Sequence, residues 1–261
     1  MTDKMLSRKE GRVGYVIFNN PERHNAVSLE MWQATQKILD DFRADDGVRI
    51  VVLTGAGGKA FVSGADISKF DDERATQEAV SRYNATTDKL YSDLHEYSKP
   101  TIAMIRGYCL GGGVNLAIAC DLRVAADNAR FSVPAAKLGL GYGYSGLKRL
   151  VDIVGPSFAK EIFFTARQFS AAEAREMGLV NRVVPDAELE TYVKNYADTI
   201  GGNAPLTVNS IKYIVGEVVK DEGKRDLKRS AELVAKCFAS KDYVEGRTAF
   251  MEKRKPVFTG S

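Results

Sequence analysis

The sequence contains two histidines, His24 and His95, and three cysteines, which is too few for several kinds of site. Two histidines cannot build a histidine-rich metal site. The cysteines, Cys109, Cys120 and Cys237, are scattered and lack CxxC spacing, so neither a zinc site nor a disulfide framework is indicated. A Ser-His-Asp triad is not indicated either, because no GxSxG motif is present. We expect His95 to be solvated or to cap a helix end.

Long apolar runs and a strong charge bias are also absent. No apolar run is long enough to span a bilayer, and the N-terminal residues are polar and charged, unlike a signal sequence. The net charge of +3 comes from 37 basic and 34 acidic side chains mixed along the chain, which is too weak a bias for nucleic-acid binding. These absences predict a cytoplasmic protein that binds neither membranes nor nucleic acid.

The N-terminal half alternates short β-branched runs with helical patterns. Such alternation favours an α/β core with mainly parallel strand pairing. Ser28 is the expected N-cap of the first helix. The predicted elements are a strand at 13–18, a helix at 28–46, a strand at 49–53, a short extended piece at 60–66, a helix within 75–97, a strand at 100–107, an apolar helix that ends near 119, and strands at 121–126 and 129–134.

From about residue 145 the pattern becomes helical, with a single further strand at 179–185. A helical C-terminal region that folds over the core, or over a neighbouring subunit, is therefore expected. The helical runs are 145–155, 157–166, 170–178, 187–201, 205–219, 223–240 and 242–253.

Two glycine-bearing loops, TGAGGKAFVSGAD and GYCLGGGVNLAIACD, follow predicted strands. Neither indicates a nucleotide site: Lys59 is followed by Ala60 instead of Ser or Thr, and the second loop lacks GxGxxG. Glycine lets a ligand approach closely, and the N–H groups of a first helical turn have no intrahelical partner. If Gly112 begins the helix, its N–H and a second one from the SGAD turn would form an oxyanion hole. Alternatively, the glycines only allow close helix and strand packing.

Several motifs together resemble one family over essentially the whole chain, namely the crotonase superfamily, also called the enoyl-CoA hydratase/isomerase family. The resemblance implies a spiral of strand-strand-helix units over residues 1–200. It also implies a helical trimerisation region over 201–261, which forms a homotrimer or a dimer of trimers. The motifs are NPERHNAVS at 20–28, FVSGADI at 61–67, GYCLGGGVNLAIACDLRVA at 107–125, SAAEAREMGLVNRVVP at 170–185 and EGRTAFMEKRKPVF at 245–258.

The same resemblance implies that the substrate is an acyl-CoA thioester and that no separate cofactor is needed. The thioester carbonyl is expected between the N–H groups of Ala65 and Gly112, where enolate charge is stabilised. Asp66 is expected either to hydrogen-bond near the adenine or only to cap the next helix. The residues expected along the CoA thioester are Arg23, Ala26, Ser63, Gly64, Ala65, Asp66, Ile67, Gly111, Gly112 and Lys253.

The sequence departs from the family pattern at the groups that move protons. A hydratase of this family has two glutamates, and the matching positions here are Asn115 and Ala135. A further position, where other members place an acid, is Gly143. An amide and a methyl group have no usable proton equilibrium near neutrality. We therefore expect weak hydration, and weak double-bond migration for the same reason.

Five polar residues remain as candidates near the acyl group: Asn115, Lys137, Tyr142, Tyr144 and Ser145. Asn115 can bind substrate or help the helix to start, and Tyr142 can act directly or form part of a wall with its hydroxyl bonded to backbone. Ser145 is expected to be the N-cap of the helix that follows, and Lys137 to face solvent.

Three functions stay open. The first is a lyase or isomerase of the family. The second is a decarboxylase or hydrolase of a carboxylated or keto acyl-CoA, since the loop around Tyr142 also resembles that of methylmalonyl-CoA decarboxylase. Decarboxylation needs an oxyanion hole and neutral donors but no general base. The third is a non-catalytic oligomer that binds acyl-CoA.

Overall fold

The fold is α/β, and the computed structural model describes residues 2–69 and 75–261. The strands are β1 Met5–Glu10, β2 Val13–Phe18, β3 Ile50–Gly55, β4 Ala60–Val62, β5 Thr101–Ile105, β6 Tyr108–Leu110, β7 Leu122–Ala126, β8 Arg130–Ser132, β9 Phe169–Ser170 and β10 Arg182–Val184. The helices are α1 Leu29–Ala44, α2 Gln77–His95, α3 Gly112–Ala119, α4 Ala135–Leu138, α5 Tyr144–Thr165, α6 Ala171–Glu176, α7 Leu189–Gly202, α8 Pro205–Val218, α9 Leu227–Phe238 and α10 Lys241–Met251.

The strands form two sheets that the chain visits in turn. The larger sheet has the order β1-β2-β3-β5-β7-β10, and the smaller one has the order β4-β6-β8-β9. Pairing is parallel except between β1 and β2 and between β8 and β9. The units β3-β4-α2, β5-β6-α3 and β7-β8-α4 each place one strand in each sheet and then a helix. This arrangement confirms the expected spiral of strand-strand-helix units.

Two apolar layers stabilise the larger sheet from its two faces. The main core lies between the sheets and helices α1, α2 and α3, and it buries Trp32, Phe61 and Leu94 almost completely. On the opposite face, α7 covers Ile50 and Ile102 among other residues. The faces of a parallel sheet are both apolar and must both be covered, which explains why α7 packs there. The cavity described below lies on the side of the main core.

Most of the expected elements are confirmed, including the helix that begins at Gly112. Ser28 caps α1 by accepting a hydrogen bond from the Met31 N–H. His95 is the last residue of α2 and is exposed, in agreement with a solvated position. The two helical runs after residue 145 meet at a kink, where Gly155 has a φ of 74° and precedes Pro156. Proline cannot continue the first helix and instead begins the second.

The short elements β6, β9 and α4 were not expected from the sequence, and two further features differ from expectation. The sequence of β1, MLSRKE, does not indicate a strand, because it has no alternation of apolar and polar residues. Only Met5 is buried, and the other five residues are exposed, since β1 lies at the edge of its sheet. Ser145 is not the N-cap of α5, so that expectation is wrong. The helix begins at Tyr144, its N-cap is Gly143, and no side chain caps it. Since Ser145 lies inside the first turn, its hydroxyl does not occupy the capping position.

Candidate active site

The turn after β4 presents one free backbone N–H group. The Val27 N–H donates to the Gly64 carbonyl at 2.9 Å, and the Asp66 N–H donates to the Val27 carbonyl at 3.0 Å. Because alternate N–H groups of an extended segment point to opposite sides, the Ala65 N–H points away from Val27. It has no acceptor among the residues that the structure describes.

The three consecutive glycines each serve a different purpose. Gly111 has a φ of 52°, a left-handed value that favours glycine, and its N–H bonds to the Ser132 carbonyl. Gly112 begins α3, and a Cβ atom there would lie 3.9 Å from the Cα of Gly64. At Gly113 a Cβ atom would lie 2.1 Å from the Val62 carbonyl oxygen, so this glycine permits close packing of α3 on β4. The packing interpretation therefore applies to Gly113, and the interpretation that a ligand approaches the backbone applies to Gly112.

The Gly64 turn and the start of α3 thus lie side by side, and we call Gly64–Asp66 with Gly111–Gly113 the backbone wall. Gly112 is the first residue of α3, so its N–H lies at the positive end of the helix dipole and has no intrahelical acceptor. Among the described residues, no other acceptor is found for it. Two free N–H groups on one wall can stabilise an oxygen atom that acquires negative charge.

The backbone wall borders a cavity of about 590 Å³. A second part of its lining, which we call the side-chain wall, consists of residues from α2, from α4 and from the loop before α5. Ala65, Gly112, Asn115 and Tyr142, the four residues predicted to act on the thioester, all line this cavity. The side-chain wall contains Val80, Tyr83, Asn84, Thr87, Asp88, Tyr91, Ala135, Leu138, Leu140, Gly141, Tyr142 and Gly143.

Aromatic side chains connect the two walls. The Tyr91 hydroxyl donates to the Gly112 carbonyl at 3.2 Å, and Tyr91 packs edge-on against Trp32 with ring centroids 5.6 Å apart. The Trp32 Nε1–H donates to the Tyr83 hydroxyl at 2.9 Å. Burial raises the pKa of Tyr91 well above its usual value. The Tyr91 hydroxyl is therefore a neutral donor that holds the first turn of α3 in place.

Asn115 and Tyr142 both present polar groups to the cavity. The Asn115 side chain is half-buried and packs beside Gly146, where a Cβ atom would lie 3.5 Å from its Oδ1. Tyr142 packs edge-on against Phe163 at 4.7 Å, and burial raises its pKa to about 12. In the described part of the chain, neither the Asn115 amide nor the Tyr142 hydroxyl has a hydrogen-bond partner. Both groups are thus neutral and free to bind a ligand.

The other polar candidates lie outside the cavity lining. Tyr144 is 81% exposed, and Lys137 is exposed as expected. Ser145 is exposed as well. Gly143 lines the cavity but offers no side chain, and Ala135 presents a methyl group.

The loop from Arg23 to Ala26 lies beside the backbone wall. The buried Asn25 side chain ties it to β4 by donating to the Ala60 carbonyl at 2.7 Å, and the Ser63 hydroxyl donates to the Arg23 carbonyl at 3.3 Å. Arg23 is exposed, and its Nη1 donates to the Ser68 hydroxyl at 2.6 Å. Asn25 was not singled out from the sequence. In the structure its φ is 55°, in the left-handed region that asparagine tolerates better than most residue types.

Asp66 caps the one-turn helix Ile67–Lys69. Its carboxylate is buried and accepts hydrogen bonds from the Ser68 N–H at 3.1 Å and from the Ser68 hydroxyl at 2.7 Å. These contacts agree with the expectation that Asp66 caps the next helix. Lys253 lies just after α10 and is not among the residues that line the cavity, and its contact with CoA stays a prediction.

Comparison with known proteins agrees with this geometry. Residues 8–261 match the enoyl-CoA hydratase/isomerase family. The chain belongs to that family. It is 36% identical to the short-chain-enoyl-CoA hydratase of Clostridium acetobutylicum, over 97% of this chain and 96% of the relative. Identity to the crotonyl-CoA hydratase of Syntrophomonas wolfei is also 36%, over 98% of both chains. A crystal structure of an enoyl-CoA hydratase/carnithine racemase from Magnetospirillum magneticum superposes with a TM-score of 0.94 at 35% identity, covering 100% of this chain and 97% of that one.

As a member of the enoyl-CoA hydratase/isomerase family, the protein is an enzyme of the crotonase fold. Over residues 2–69 and 75–261, no group of three His, Cys, Asp or Glu side chains is arranged to hold a metal ion. No helix in the same ranges combines the length and apolar character that a membrane crossing requires.

The residues that α2 contributes to the side-chain wall were not found by sequence reasoning, among them Asp88 and Tyr91. Both lie on α2, three positions apart and hence on one face of the helix. Asp88 is the one carboxylate among the described residues that line the cavity. The helical spacing from Asp88 to Tyr91 was available in the sequence, but it does not tell which face of α2 meets the cavity.

Proposed function

We propose that the protein polarises the carbonyl of an acyl-CoA thioester between the N–H groups of Ala65 and Gly112 and thereby stabilises the enolate. The observation that carries this proposal is the adjacency of two free N–H groups on the backbone wall. The relatives named above carry hydratase names, which supports a thioester substrate. Each oxyanion-hole donor typically contributes about 3 to 4 kcal/mol to the transition state.

A matched pair of variants isolates the Gly112 N–H. Proline is tolerated at the first position of a helix, so Gly112→Pro removes the N–H while α3 can still form. Gly112→Ala is its control, because it also adds a Cβ atom near the Tyr91 hydroxyl, at 3.2 Å, but keeps the N–H. We expect kcat/KM for any thioester that is turned over to fall about 100-fold to 1,000-fold more in the proline variant. Equal activities of the two variants would rule out a role for this N–H.

We further propose that hydration is slow, because Asn115 and Ala135 supply no acid or base. A panel of CoA thioesters, followed by mass spectrometry of the products, tests this. Weak addition of water to crotonyl-CoA is expected. Fast hydration that survives both Asn115→Ala and Tyr142→Phe would contradict it.

The decarboxylase or hydrolase alternative has one observation in its favour, the free and neutral Tyr142 hydroxyl and Asn115 amide in the cavity. These donors can orient a substrate carboxylate without removing a proton from carbon. Release of carbon dioxide or free acid from malonyl-CoA or methylmalonyl-CoA in the same panel would support it. Tight thioester binding without any product would instead favour a non-catalytic binding protein.

We also propose that helices α8 to α10 carry the subunit contacts of a homotrimer or a dimer of trimers. They border a groove of about 850 Å³, and Phe238, Phe250 and Met251 are 62%, 82% and 80% exposed in the single chain. Exposed apolar patches of this kind mark association surfaces. Light scattering should give the mass of three or six chains, and Phe250→Asp should lower that mass.

A further inference from the structure

We propose that Asp88 is the group that exchanges a proton with the acyl carbon next to the thioester carbonyl, in place of the two absent glutamates. This inference rests on the proposed function, since it requires a thioester bound at Ala65 and Gly112. It assigns the proton transfer to helix α2, which contributes the side-chain wall.

The position of Asp88 follows from its neighbour on α2. Tyr91, three residues further, also lines the cavity and donates to the Gly112 carbonyl at 3.2 Å. Side chains three apart on a helix have Cβ atoms about 5 to 6 Å from each other. Asp88 therefore lies about one helical turn from the contact between α2 and the backbone wall, and it lines the same cavity.

Asp88 also differs from the other acidic residue on this part of α2. Asp93 forms an ion pair with Lys89 on the outside of the helix and does not line the cavity. In the described ranges, no Lys or Arg nitrogen lies within ion-pair distance of the Asp88 carboxylate. The Asp88 side chain lines the cavity, is exposed and has no such partner, so its carboxylate is available to a substrate.

A buried positive charge lies within electrostatic range of Asp88. Arg149 of α5 is 8% exposed, and its Nε has no hydrogen-bond partner among the described residues. Burial lowers the pKa of Arg149, and the negative charge of Asp88 opposes that effect, so the guanidinium lies within electrostatic range of Asp88. The attraction draws the Asp88 carboxylate toward α5, and the loop before α5 also lines the cavity.

The proposed step is balanced without a co-reactant. The Asp88 carboxylate takes a proton from the carbon next to the thioester carbonyl, and the electron pair of the broken C–H bond forms the C=C bond of the enolate. The carbonyl π pair moves onto the oxygen, where the Ala65 and Gly112 N–H groups stabilise it. The resulting carboxylic acid then returns a proton to carbon and the enolate collapses to the thioester. In D2O, exchange of the acid proton with solvent leaves deuterium on the carbon.

Butyryl-CoA tests this step because it has no double bond to hydrate. The protein is incubated with butyryl-CoA in D2O, and deuterium at the acyl group is measured by mass spectrometry for the unaltered protein, Asp88→Asn, Asp88→Glu and Asp93→Asn. Asp93→Asn is the matched control, since it removes the same charge from the same helix outside the cavity. Butyryl-CoA affinity and thermal unfolding are recorded for each variant.

We expect Asp88→Asn to slow deuterium uptake by at least about 100-fold, as for removal of a general base, with little change in affinity. Asp88→Glu should recover part of the rate, and Asp93→Asn should match the unaltered protein. Uptake that is unchanged in Asp88→Asn, or absent from the unaltered protein, overturns the Asp88 assignment. Gly112→Pro separates the two proposals: if it slows uptake relative to Gly112→Ala while Asp88→Asn does not, the oxyanion hole stands and Asp88 falls.

Discussion

The two walls of the cavity are built by different means. The backbone wall places peptide N–H groups, and at Gly113 it leaves no room for a side chain, since a Cβ atom there would lie 2.1 Å from the Val62 carbonyl oxygen. The side-chain wall consists of groups on the surface of α2 and on a glycine-rich loop, several of them exposed. A change of residue type is therefore costly on the first wall and cheap on the second. This difference lets one fold keep carbonyl polarisation while the groups that move protons change.

The largest effect is expected where the backbone wall has no space. Gly113→Ala forces α3 away from β4 in a buried position, so we expect a loss of at least about 3 kcal/mol in the free energy of unfolding. Urea unfolding measures it. Gly141→Ala is the control, because a Cβ atom there meets nothing within 4 Å although the residue lines the same cavity. Equal stabilities of the two variants would show that the backbone wall accommodates an added Cβ atom as easily as the side-chain wall does.

A gain of function tests the side-chain positions where the family has glutamates. Asn115→Glu with Ala135→Glu places two carboxylates at the cavity, which has about 590 Å³ to receive them. We expect crotonyl-CoA hydration to rise about 100-fold, the lower range for added acid-base groups. The control is Asn115→Gln with Ala135→Gln, which has the same size without the charge. If the glutamine pair hydrates as fast as the glutamate pair, the missing acids are not what limits the reaction.

The sequence predicts the backbone wall much better than the side-chain wall, for a physical reason. Ala65 and Gly112 belong to short motifs in which glycine and a helix start are local properties, and both residues line the cavity. Asp88 could not be found in this way, because α2 carries several polar positions and only tertiary packing decides which face meets the cavity. The prediction that Ser145 is an N-cap was wrong for a related reason. The N-cap of α5 is Gly143, which has no side chain to mark the helix start in the sequence.

The smallest effect is expected from the Tyr142 hydroxyl. Its removal in Tyr142→Phe leaves the ring contact with Phe163 intact and deprives no described residue of a hydrogen bond, so stability should change by less than about 0.5 kcal/mol. If the hydroxyl contacts substrate, kcat/KM should still fall by about 3-fold to 10-fold, the value of one neutral hydrogen bond. Tyr144→Phe, at a position 81% exposed and outside the lining, is the comparison variant. Equal kinetics of these two variants, at equal stability, would show that the Tyr142 hydroxyl does not contact the substrate. Asn115 and Asp88 would then be the remaining polar candidates for contact with the acyl group.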